Sequence, residues 1–190
     1  TTPNKVKAAT VAPGLVERGV VAATQKGLQS KINAGEQVAG QALEQGYAAS
    51  PPMMHDTQPI IDAIEKSKWD SGAVIQGQSG SVVAEPLLAD AADKLKEIIQ
   101  EFGPQVETGS LVKLRQRWDQ TVNQAKGFTQ PDIAASAAVK RDAVGAIRDV
   151  LNTDLPDIAK LNAEYSFWRK ASDVIDATVM RKSGQSVPMG

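Results

Sequence analysis

The chain holds one histidine, His55, between Met54 and Asp56, and it has no cysteine. A thiolate nucleophile, a disulfide framework and a Cys-based zinc site are therefore excluded. A single His–Asp neighbour pair with no second His or Cys does not assemble a transition-metal site. No nucleophile stands in a motif beside it, so His55 reads as a residue at a helix entrance rather than as an acid–base group. Ser110-Leu111-Val112-Lys113 and Lys182-Ser183-Gly184 together match the spacing of an activated-serine set, Ser-x-x-Lys with Lys-Ser/Thr-Gly. That chemistry needs the second element on a strand beside the nucleophile helix. Here it follows the last long helix, in a chain with no predicted sheet to hold it, and Ser172-Asp173-Val174 lies inside a helix and does not supply the Ser-Asp-Asn element. A phosphate-binding loop, a dinucleotide fingerprint after a strand and a Glu-x-x-His pair are also missing from the sequence. No catalytic, cofactor-binding or metal-binding residue is assigned, and the chain reads as a non-enzymatic structural or interaction protein with no cofactor and no small-molecule ligand.

Composition points to what would hold such a protein together. Of the 190 residues, 42% are hydrophobic and only 4% aromatic, and much of the apolar content is alanine. That mixture favours helices packed at close range over a thick sandwich core. The net charge is -1. Divided at Gly103, the first part has 9 basic and 12 acidic residues (9 - 12 = -3) and the remainder 12 and 10 (12 - 10 = +2). Neither carries the concentrated positive charge of a nucleic-acid-binding surface, so no sequence-specific nucleic-acid partner is expected. The short basic clusters (Lys113, Arg115 and Arg117; Lys140 and Arg141; Arg169 and Lys170; Arg181 and Lys182) fall on predicted helices and read as solvated faces. No run of about 18 apolar residues is available to span a bilayer. The first residues, Thr1-Thr2-Pro3-Asn4, have neither an initiator Met nor a signal-peptide core, which reads as a processed product or an excerpt of something longer.

Periodicity and punctuation predict an all-α fold: an antiparallel helical bundle with an extended or glycine-interrupted helical N-terminal arm. Residues 1–55 form that arm. Pro3, Pro13, Gly14 and Gly19 make residues 1–20 a linker, and a weak helix runs from Ala22 to Ala48 with Leu28, Ile32, Ala39 and Leu43 on one face. Gly27, Gly35, Gly40 and Gly46 interrupt it, each costing about 0.5–1 kcal/mol relative to Ala. Two readings stand: either the small residues let another backbone approach closely, or the helix is poorly ordered. Residues 56–85 hold a short helix, Thr57 to Lys68, with Asp56 or Thr57 as its N-cap and Ile60, Ile61 and Ile64 inward. A long Gly-rich loop follows over 70–84, with room for a short extended pair.

The bundle is expected over 86–182. Its first helix opens at Pro86 and stops at Gly103-Pro104, with Leu88, Ala91, Leu95, Ile98 and Phe102 inward. The second runs from Ser110, as N-cap, to Lys126, with Leu111, Leu114, Trp118, Val122 and Ala125 inward and Gly127 as its stop. The third opens at Pro131 and runs to Asn152, with Ile133, Ala137, Val144, Ile147 and Leu151 inward. The last opens at Asp154-Leu155-Pro156-Asp157. Its seam, Ile158, Leu161, Tyr165, Trp168, Ser172, Ile175 and Val179, alternates steps of three and four as in a heptad. Residues 183–190 read as a flexible tail. Trp118 and Trp168 fall on apolar stripes and read as core, whereas Trp69, at a helix end, suits burial and partner contact equally.

Three stretches, LVKLRQRWDQTVNQAKGF, AAVKRDAVGAIRDVLN and DLPDIAKLNAEYSFWRKASDVID, resemble a helical module of large virion proteins of tailed bacteriophages and of prophage-encoded relatives. The matching positions are Leu111, Arg115, Trp118, Asp119, Ile147, Asn162, Ala163, Tyr165 and Ser166, and the resemblance covers about 110–182. It implies a virion structural protein, internal and ejected with the DNA or tail-associated. Such a protein acts through helix–helix contacts with copies of itself and with portal or tail components. The alternative is a helical adaptor or spacer domain of a larger bacterial or prophage protein in the bacterial cytoplasm. An enzyme fragment with its catalytic part elsewhere is a third reading. Contact with a membrane is the weakest, because the 22–48 segment is too polar to insert by itself.

Overall fold

Prolines and glycines set the limits of most helices. The computed structural model describes residues 11–125 and 130–184, with side chains described as far as Asp176 in the last helix. Residues 1–10 of the expected arm, the stop at Gly127, the inward Val179 side chain and residues 185–190 of the expected tail lie outside the described residues. In chain order the elements are α1 (11–17), α2 (Gln25–Ala49), β1 (Met54–Asp56), α3 (Gln58–Asp70), β2 (Val74–Gly77), β3 (Gly80–Val83), α4 (Pro86–Glu101), β4 (Gln105–Glu107), α5 (Thr108–Gln124), α6 (Pro131–Asp154) and α7 (Pro156–Gly184). The fold is all-α, with two small antiparallel sheets, β1–β4 and β2–β3.

Pro86 and Pro131 open α4 and α6, where a missing N–H costs nothing. Gly103, at φ +80°, ends α4 in the left-handed conformation that a side chain would resist. Leu155 takes φ -126°, ψ 78° ahead of Pro156, so α6 stops there and α7 starts afresh. Ser110 is not an N-cap. The antiparallel pairing of β1 with β4 fixes the backbone through Glu107, and the Thr108 N–H donates to the Met53 carbonyl at 3.0 Å. The helix therefore springs directly from the strand at Thr108, two residues earlier than expected.

Ser50–Pro156 forms one compact unit. Its centre is α6, which packs against α3, α4 and α5 and buries Ala135, Ala137, Val139, Ala143, Val144, Ile147 and Leu151. Ala-rich composition suits a helix surrounded on several sides, because small side chains let three neighbours approach. Lys68 pairs with Asp93 at 2.8 Å and Lys96 with Glu65 at 3.1 Å, so α3 and α4 run antiparallel. On α4 the buried stripe is Ala89, Ala92, Leu95 and Ile99. The expected stripe is therefore rotated by about one residue, and Ile98 (37% exposed) and Phe102 (39%) face outward. Close packing selected the alanines for the interior over the larger side chains beside them. The 70–84 loop contains the β2–β3 hairpin, whose base packs Ala73 and Val74 against Ala89 on α4.

The helices α1, α2 and α7 (from Asp157) form the second compact unit. Gln29 bonds Asp176, Gly35 faces Trp168, Gly40 faces Tyr165 and Gly46 faces Leu161, an order that makes α2 and α7 antiparallel. The expected single bundle over 86–182 is thus divided. The α6 helix is already surrounded within its own unit, while the glycine-studded face of α2 fits the Trp168 and Leu161 side of α7. The glycines at 35, 40 and 46 make room for the large side chains of Trp168, Tyr165 and Leu161 rather than for another backbone, and a Cβ on Gly35 would lie 2.5 Å from the Trp168 ring. The segment over 11–17 is helical rather than extended, with Val11 and Leu15 buried against Trp168, Ile32 and Ala171.

Candidate functional site

Among the described residues, one arrangement that copies reactive chemistry forms around His55. Its imidazole is fully buried (0% exposed). The Nδ1 atom lies 2.6 Å from Asp154 Oδ2 and Nε2 lies 2.8 Å from Thr108 Oγ1. A hydroxyl, an imidazole and a carboxylate in that order are the elements of an activated nucleophile. The signal was invisible in sequence, because Thr108 and Asp154 stand 53 and 99 residues away.

The imidazole and the hydroxyl of this arrangement are closed to solvent. A reacting carbon must come within about 3 Å of the hydroxyl oxygen, but Thr108 is 6% exposed and His55 is enclosed. The Thr108 hydroxyl also donates to the Met53 carbonyl at 3.2 Å. The Thr57 hydroxyl donates to the Gly103 carbonyl at 2.7 Å, and the Thr57 N–H to the Pro104 carbonyl at 3.1 Å. These bonds join β1, the start of α5 and the end of α6 into a polar knot in which each buried group has a partner. His55 links all three of these elements. Asp56 caps α3, its side chain accepting from the Gln58 N–H at 2.9 Å, while Thr57 takes the N-cap position without a side-chain cap bond.

Ser110 lies in the first turn of α5 and Lys113 is exposed on the same helix, whereas Lys182, Ser183 and Gly184 end α7 in the other unit. Of the resemblance positions, Leu111, Arg115 and Trp118 are buried on α5 and Ile147 on α6. Asn162 on α7 is buried and donates to the Tyr47 hydroxyl at 3.2 Å. The basic clusters are not uniformly solvated. Arg115 is buried, and Arg169 pairs with Glu36 at 2.9 Å. Burial, and then the nearby Arg117 charge, push the Lys140 ammonium below the ordinary lysine range.

Two surface features remain. Between α3 and α6 runs a groove whose larger stretch, about 570 Å³, is lined by Lys66, Asp70, Arg141, Asp142 and Asp149; Lys66 pairs with Asp70, and the Ser67 hydroxyl donates to Asp142. A neighbouring cleft of about 280 Å³ has an apolar floor and three carboxylates at its rim. Exposed apolar side chains are also prominent, among them Met54, Ile75, Val82, Val83, Leu87, Ile98 and Phe102, together with Trp69 (42% exposed). Among the described residues no cluster of His, Asp or Glu could hold a metal ion, and no helix is long and apolar enough to cross a membrane. Comparison with protein-family models, with curated proteins and with solved structures finds no match for this chain.

Proposed function

We propose that this chain is a structural component of a tailed-phage virion, either internal and ejected with the DNA or associated with the tail. It acts through helix–helix contacts with copies of itself and with neighbours such as portal or tail proteins, and it carries out no catalysis. The observation that carries this reading is where the chain places its two kinds of side chain. Its histidine, the one group suited to neutral-pH acid–base chemistry, is enclosed, while apolar side chains on α4 and the β2–β3 hairpin stand outside. Contiguous exposed apolar surface marks contact with other proteins, and on this reading these side chains contribute to such a surface. The helical resemblance over 110–182 supplies the virion setting.

The second reading is a helical adaptor or spacer domain of a larger bacterial or prophage protein. It draws on the compactness of Ser50–Pro156 as a unit of its own. Mass spectrometry of purified particles, with light scattering on the isolated chain, separates the two. Recovery in particles at a constant copy ratio, together with a discrete oligomer in solution, supports the virion reading. A helical monomer found only in the cell fraction supports the adaptor.

A further inference from the structure

The β2–β3 hairpin of the Ser50–Pro156 unit has one open edge. In β2 the first residue, Val74, is buried, whereas all four residues of β3 are exposed. The Ala84 N–H donates to the Ala73 carbonyl at 2.8 Å, just beyond the Val74–Val83 pair. Antiparallel pairs alternate between bonded and non-bonded, so Ile75 and Val82 exchange their bonds while the Val74–Val83 and Gln76–Ser81 pairs exchange none. The N–H and C=O groups of Ser81 and Val83 therefore point away from β2. Among the described residues β2 is the one strand paired with β3, and no backbone bond from another element reaches Ser81 or Val83. Open edges are ordinarily guarded by a lysine, a proline or a bulge. β3 has none of these: it reads Gly80-Ser81-Val82-Val83, its register with β2 is unbroken, and no charged residue lies between Asp70 and Glu85.

A strand edge is satisfied by another strand, because an extended chain presents donors and acceptors at the matching spacing. What identifies that strand is that β3 is complementary to itself. Turned antiparallel about a twofold axis through Val82, Ser81 of one copy meets Val83 of the other. Both such pairs are bonded, giving four backbone hydrogen bonds. Val82 then meets Val82 across the axis as the close, non-bonded pair, with Cα atoms about 4.5 Å apart. Ile75 lies beside Val82 on the same face of each hairpin, and both are half-exposed. The join therefore lines up Ile75, Val82, Val82 and Ile75 as one apolar row. Lack of charge lets identical strands meet without repulsion, and Glu85, the nearest charge, falls opposite Ser79 rather than opposite its own copy. A two-stranded hairpin is marginal by itself, and further strands sharing an apolar face stabilise it.

We infer that β3 pairs antiparallel with β3 of a second copy, joining two hairpins into a four-stranded sheet across a twofold axis. This isologous contact is short, so the dimer it makes is weak and depends on concentration. The inference rests on the self-association reading above and specifies its surface. Light scattering on the full-length chain, at concentrations up to about 1 mM, is expected to show association. Val83→Pro removes the outward N–H without taking a bond from the hairpin, and Val82→Lys sets two cations at the axis. Each is expected to raise the dissociation constant at least about tenfold, with circular dichroism checking that the helices persist. In a chain with no other cysteine, Val82→Cys places two thiols within bridging distance across the axis. Under mild oxidation it is expected to form linked dimers at least about tenfold faster than Lys113→Cys, an exposed site on α5. If Val83→Pro disturbs the hairpin, the other two variants decide. Association that Val82→Lys leaves unchanged, or equal crosslinking of the two cysteine variants, overturns this interface and leaves self-association standing. A native chain that is monomeric at every concentration overturns both.

Discussion

Replacing His55 by leucine keeps the volume of the side chain and removes both of its hydrogen bonds. Asp154 is partly exposed and recovers water, while the Thr108 hydroxyl keeps the Met53 carbonyl, so the loss falls short of a fully orphaned pair. The expected cost is about 2–3 kcal/mol, read as a lower urea midpoint with an unchanged slope. A variant as stable as the native chain would show that the tie holds nothing. A second residue-scale prediction concerns Glu164. It accepts from Arg18 Nε at 2.8 Å and from a terminal guanidinium nitrogen at 2.6 Å, and its Oε1 also accepts the Trp168 indole N–H at 2.8 Å. The Arg18 hydrogen bonds, and then the indole, hold the carboxyl below the usual glutamate range against the opposing effect of burial. A lowered folded pKa means stability that is present above the unfolded value, about 4.3, and lost as pH falls through the folded one. Hydrogen-exchange protection over 11–20, corrected for the intrinsic rate at each pH, should therefore fall on acidification below that range. In Glu164→Gln protection should be low already and less dependent on pH; an unchanged pH profile of protection in that variant would assign the effect to another group.

At the scale of elements, the glycines of the helices separate into two kinds. In Gly35→Ala the new methyl would sit 2.5 Å from the rigid Trp168 ring, a clash that α2 and α7 can relieve only by moving apart. The helix-propensity gain of about 1 kcal/mol is outweighed by overpacking of about 1–3 kcal/mol, so the variant should be less stable. Gly145 on α6 has nothing within 4 Å of the corresponding position. Gly145→Ala should therefore stabilise by about 0.5–1 kcal/mol. Thermal melts of the two variants check the contrast, and shifts of the same sign would contradict it. Gly46 is intermediate, since its would-be contacts are the terminal methyls of Leu161 and Ile158, which can rotate away.

For the whole molecule, the division at 49/50 and 156/157 makes Ser50–Pro156 a segment inserted between the two parts of another unit. Its ends are held together, because the His55–Asp154 contact lies close to both, which is the geometry of a domain that folds alone. The other unit has a matching closure, with Tyr47 bonded to Asn162. The excised 50–156 segment is expected to be helical and to unfold in one cooperative transition. A gradual, non-cooperative loss of signal would mean that it needs the rest of the chain.

What the sequence determined by itself was local. Periodicity of three and four, prolines at first turns and Gly103 at a helix end fixed the all-α class and most helix limits, because these depend on neighbours within a few residues. The absence of cysteine and of a second histidine removed whole classes of chemistry before any coordinates were needed. Tertiary structure alone decided the rest. Whether Ala92 or Phe102 turned inward depended on how closely α6 could approach, and one residue of rotation lies within what an amphipathic stripe allows. The partner of α7 depended on which surfaces were already occupied, and no stripe records that. The His55 knot joined residues about fifty and a hundred positions apart, so it arose only when β1, α5 and α6 met, and no local pattern records it.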